Sequence, residues 1–107
     1  MRSIYAQAGW QRIEMATHYI ALIHKEEGSG YGVSFPDVPG VTTVADTLDD
    51  AIHEAGIALA FAFEDWQGPL PSPRSLDALR TDPGFREWSA DAVVATVAPT
   101  QGMADAA

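Results

Sequence analysis

The stretch from Tyr31 to Ala51 constrains the fold most, because it carries the signals of strand, reversal, strand and helix start in unbroken order. Tyr31, Val33 and Phe35 alternate with Gly32 and Ser34, so an extended segment here has one apolar face. Pro36 and Pro39 flank Asp37, and Gly40 follows. Proline fixes φ and glycine admits positive φ, a combination that reverses the chain sharply. Residues 41–44 are β-branched throughout and favour a second strand. Thr47 then stands where a helix needs its cap. Asp50 lies three residues on, a capping box with aspartate in the place of glutamate.

The remaining elements arrange themselves around this segment. His18 to His24 reads as the first strand, with Ile20 and Leu22 on one face and Tyr19, Ala21 and Ile23 on the other. Two apolar faces mark a central or a two-sided strand. The glycine-rich turn from Lys25 to Gly30 predicts a hairpin into the second strand. The helix is expected from Leu48 to about Gln67, where Gly68 and Pro69 stop it. Its core stripe is Leu48, Ala51, Ile52, Ala55, Leu59, Ala62, Phe63 and Trp66. Gly56 inside that helix costs about 1 kcal/mol against alanine, so it either permits a close approach or is simply tolerated. Pro69 to Pro73 reads as an extended surface segment, and Ser75 to Arg80 as a short helical turn capped by Ser75. Asp82-Pro-Gly84 reads as a turn, with Phe85 and Trp88 covering one end of the core. Asp91 to Val97 is a last strand that joins the sheet from beyond the helix. The expected fold is therefore α+β in βββαβ order, an antiparallel sheet with one long helix packed on it. A length of 107 residues fits a single domain, placed at residues 15–98. Residues 1–14 read as an extension, mobile or packed on a neighbour, with Met15 as an alternative start. Residues 99–107 read as a fraying tail.

Charge and composition narrow the function. There is no cysteine, so disulfides and thiolate metal sites are excluded. No apolar run approaches the roughly 20 residues that span a bilayer, and residues 1–14 lack the apolar core of a signal peptide. A cytoplasmic protein is expected. The net charge of −9 is placed unevenly. Between Lys25 and Arg74 stand Glu26, Glu27, Asp37, Asp46, Asp49, Asp50, Glu54, Glu64 and Asp65, with no lysine or arginine. Such a segment disfavours direct nucleic-acid binding and favours a basic partner, although an acidic surface also serves solubility. Asp37, Asp46, Asp49, Asp50 and Glu54 are numerous enough for a two-metal nuclease cluster, whose carboxylates must converge on ions about 4 Å apart. The first three strands carry no acid in their interiors, and Asp49 and Asp50 suit the positive end of a helix dipole. His18 and His24 lie about 20 Å apart along one strand, and His53 belongs to the helix. No enzymatic activity, metal or cofactor is expected. Asp37, between two prolines, is singled out for partner contact or as a turn aspartate bonding its own backbone. Ile57 and Phe61 lie about 180° and 220° from Leu48 around the helix, which marks a contact surface for another copy.

Taken in order, the opening strand, Gly30-Tyr-Gly-Val-Ser-Phe-Pro-Asp-Val-Pro-Gly40, Asp46-Thr-Leu-Asp-Asp-Ala51 with its long helix, Leu70-Pro-Ser-Pro73 and the valine-rich final strand resemble the HicB-type antitoxin family. The resemblance covers roughly Met15 to Val97. It implies a partial RNase H-like fold and a partner, a small basic HicA-type toxin that degrades mRNA. In the family the antitoxin masks the toxin's catalytic histidine and RNA-binding surface, and many members are oligomers. On this reading Asp37, Asp46, Asp49, Asp50 and Glu54 meet the toxin, while Ile57 and Phe61 join copies into a homodimer or homotetramer. Full-length members often add a C-terminal DNA-binding module. Only about ten residues follow the last strand here, so operator binding is not expected. Ala45 stands where the family often has glycine before Asp46-Thr47, which alters the strand exit. The alternative is a stand-alone oligomeric binding module without a toxin.

Overall fold

The computed structural model describes residues 17–28 and 30–100. The elements follow as β1 (Tyr19–Glu26), β2 (Gly30–Ser34), β3 (Thr42–Ala45), α1 (Leu48–Glu64), α2 (Leu76–Leu79), α3 (Pro83–Trp88) and β4 (Val93–Val97). The expected N-terminal extension and the end of the tail lie outside the described residues. The strands form one antiparallel sheet in the order β3-β2-β1-β4. Ile23 of β1 stands opposite Val33 of β2, and Tyr19 of β1 opposite Val97 of β4. The α+β architecture with a late fourth strand is thus as the sequence predicts, and β1 is central.

The two apolar faces of β1 feed two separate cores. Tyr19, Ala21 and Ile23 join Val33, Phe35, Val38 and Val97 beneath Ala51, Ala55 and Leu59 of α1. Ile20 and Leu22 point the other way, onto Leu79 of α2 and Phe85 of α3. Each fully buried apolar side chain of this size stabilises the fold by about 2 kcal/mol. The second core corrects the expectation that Phe85 covers one end of a single core. Asp82-Pro-Gly84 is likewise not an isolated turn. The Asp82 carboxylate accepts from the Gly84 N–H at 2.9 Å, and Pro83 opens α3 where a missing N–H costs nothing.

Helix α1 departs from its predicted form at three places. It ends at Glu64 rather than near Gln67, where the Asp65 N–H turns back to the Phe63 carbonyl. Gly68 takes a φ of +82°, and the Trp66 indole N–H reaches the Pro69 carbonyl at 3.2 Å, so the chain has already folded back. Ile52 is 37% exposed instead of lying in the core, while Gly56 and Ala60 are buried. The cause is the chain leaving β4, which crosses α1 at Gly56. There the Thr100 N–H donates to the Gly56 carbonyl at 2.9 Å. Ile52 lies one turn before that crossing and stays uncovered. Gly56 therefore serves a close approach. A Cβ there would stand 2.5 Å from Thr100 Oγ1 and 3.0 Å from the Ala98 carbonyl oxygen.

The segment from Pro69 to Arg74 has no regular structure but is tied along its length. Besides the Trp66 contact, the Tyr19 hydroxyl donates to the Pro71 carbonyl at 2.6 Å. Burial, and then the Asp37 charge, push the Tyr19 phenol above the usual tyrosine range. Tyr19 packs on Phe63 with ring centroids 5.6 Å apart, and Phe63 meets Trp66 edge-on at 5.5 Å. These rings anchor the C-terminal end of α1 to the sheet.

Candidate functional site

Among the described residues, four acids without an ion pair stand where β3 hands over to α1 and in the first two turns of that helix. Asp46 follows the last residue of β3, and Thr47 caps the helix, its hydroxyl accepting from the Asp50 N–H at 3.1 Å. Asp49 and Asp50 occupy the first turn, and Glu54 stands one turn after Asp50. All four acids are exposed. Among the described residues none of them has an ion-pair partner. The helix dipole accounts for Asp49 and Asp50. It does not account for Asp46, which precedes the cap, or for Glu54, which lies beyond the first turn. Asp46 stands at the corner between β3 and α1, and Asp49, Asp50 and Glu54 follow within the first two turns of the helix.

Asp37 belongs elsewhere. Its side chain is only 8% exposed, and its carboxylate is held by Arg74. Oδ2 accepts from the Arg74 backbone N–H at 2.7 Å, and Oδ1 from Nε at 2.7 Å and Nη2 at 2.7 Å. The Asp37 hydrogen bond and charge raise the already high pKa of the Arg74 guanidinium. Asp37 thus clamps the β2–β3 loop to the proline segment. Its place between two prolines suits either of two roles, a partner contact or a bond to its own backbone. The structure shows a third, because its partner lies 37 residues away. The one available signal was that Arg74 is the first base after the long acidic gap.

Of the apolar pair on the outer side of α1, Phe61 is 74% exposed and Ile57 is half-buried. The histidines are dispersed. His24 Nε2 lies 3.0 Å from the Trp88 carbonyl oxygen and so donates there, while His53 is exposed on α1. Among the described residues no three histidine, aspartate or glutamate side chains converge closely enough to hold a metal ion. Two shallow grooves lie on the side of the sheet away from α1. One is lined by Pro36, Arg74, Asp82 and Phe85, the other by His24, Ser34 and Thr42, with Trp88 at both. Among the described residues no helix is long and apolar enough to cross a membrane.

Comparison with known proteins follows the same lines. A family model, the HicB-like antitoxin of bacterial toxin–antitoxin systems, matches residues 19–105. Antitoxin HicB 1 of Photorhabdus laumondii subsp. laumondii is 39% identical over 64 residues, 55% of this chain and 41% of that protein. The chain therefore spans less than half the length of that curated relative. The crystal structure of the Burkholderia pseudomallei antitoxin HicB superposes with a TM-score of 0.61 at 30% identity, covering 76% of this chain and 61% of that one. The N-terminal domain of that antitoxin, solved alone, gives 0.59 at 28% identity and is covered over 95% of its length. A chain of the HicA3 and HicB3 toxin–antitoxin complex gives 0.59 at 25% identity, covering 75% of this chain and 94% of that one.

Proposed function

The chain belongs to the HicB-like antitoxins of bacterial toxin–antitoxin systems, and from that premise we propose that it binds a small basic HicA-type toxin and covers the surface with which the toxin holds mRNA. It does so in the cytoplasm and without enzymatic activity of its own. The observation that carries this reading is the exposure of Asp46, Asp49, Asp50 and Glu54, which no base of the described residues neutralises. Carboxylates so placed present to a cationic protein the charge that RNA phosphates would present. Asp37 is left out of this contact, since Arg74 already occupies its carboxylate. The likeness to a chain of the HicA3 and HicB3 complex supports the choice of partner.

The test is co-purification with the product of the adjoining gene. A stable complex and loss of RNA cleavage are expected. The association rate should fall steeply as salt rises from about 0.05 to 0.5 M, because the attraction between exposed charges is screened. Absence of a complex, or cleavage that persists within it, would overturn the reading. The competing reading, a self-associating binding module without a toxin, has in its favour the exposure of Phe61.

A further inference from the structure

The outer face of α1 has no partner within the described chain. Asp50, Glu54, Ile57 and Phe61 succeed one another at helical spacing along one side, and Glu64 closes the row. Phe61, at 74%, is more exposed than any other large apolar side chain of the described residues. Where such an apolar spot is a contact, its occupant is a second copy or a different protein, and charge discriminates between them. In an antiparallel pair of helices centred between Ile57 and Phe61, Glu54 of each copy would lie opposite Glu64 of the other. A parallel pair would set each acid beside its own copy. Helix α1 has no lysine or arginine to relieve either arrangement. Arg74, Arg80 and Arg86 lie in or beside α2 and α3, which pack on the opposite face of the sheet. Lys25 sits over the Tyr31 ring, 5.3 Å from its centroid.

We infer that this face receives a basic protein surface, an apolar socket for Phe61 ringed by lysines or arginines that meet Glu54 and Glu64, and not a second copy of the chain. The inference rests on the antitoxin reading for the identity of the partner. It goes further in extending the contact from the β3–α1 corner to the middle of α1 and in making Phe61 its anchor. Ile57 and Phe61 pass from self-association to partner binding.

Wild type, Phe61→Ser and Glu54→Lys are compared, each alone by sedimentation velocity and each with the adjoining gene's basic product by titration calorimetry. Both substituted side chains are exposed, so melting temperatures should match wild type. The mass of the chain alone should be the same in all three. Each substitution should weaken toxin binding by about ten-fold or more. Variants that bind as tightly as wild type would sink the inference and leave the antitoxin reading standing. A wild-type chain that binds no toxin would sink both. A lower mass for Phe61→Ser alone would show that a second copy covers the face, and the inference would fail whatever the toxin does.

Discussion

Gly56 shows how a single residue takes its meaning from a distant segment. On helix propensity alone, Gly56→Ala should stabilise α1 by about 1 kcal/mol. A Cβ there would collide with Thr100 Oγ1 and crowd the Ala98 carbonyl, so the crossing of α1 by the chain beyond β4 must shift. Net destabilisation of about 1–2 kcal/mol is expected from the urea midpoint. In a Thr100→Gly background the loss should shrink or reverse, and a stabilised single variant would show that the crossing is not tight. The sequence raised the close approach as one of two readings and had no means to choose, because Thr100 carries no local signal. Asp37 is the parallel case among charges. Its flanking prolines announced a turn, but whether its carboxylate faced outward depended on where Arg74 arrives.

At the scale of elements, β1 carries the most legible information. Its unbroken apolar run predicts a strand covered on both faces, and the structure supplies both covers, α1 on one side and α2 with α3 on the other. Leu22 is fully buried in the second core, so Leu22→Ala should cost about 3 kcal/mol by thermal or urea unfolding. A loss below about 1 kcal/mol, the size of a surface change, would show that α2 and α3 do not pack as described. Helix α1 was legible at its start, where the Thr47 cap is a local hydrogen bond, and less so at its end and along its flank. Ile52 satisfied the helical period and yet stays exposed, since periodicity says which residues share a side but not how far along that side the cover extends.

Over the whole molecule, stability responds to pH through Tyr19. Its phenol has its pKa raised in the folded state by burial and then by Asp37, so the folded chain keeps a proton that the unfolded chain gives up. This contribution is fully present below the ordinary tyrosine pKa of about 10 and is lost as pH rises through the folded value. The urea midpoint should therefore fall above about pH 10. Tyr19→Phe, though weakened by loss of the Pro71 hydrogen bond, should show a shallower alkaline decline. Equal slopes would refute the assignment. The sequence by itself determined the βββαβ order, the two apolar faces of β1, the caps at Thr47 and Ser75, and the uneven placement of negative charge along the chain, because each follows from local periodicity, local hydrogen bonding or simple counting. Only the tertiary structure decided that Asp37 is spent inside the chain, that Gly56 is a crossing point, that Ile52 stays exposed and that a second core exists. Those outcomes depend on segments far apart in the chain that meet in the fold, Asp37 with Arg74 across 37 residues and Gly56 with Thr100 beyond the last strand. Which distant groups become neighbours is set by the packing of the whole chain, and a local pattern carries no record of it.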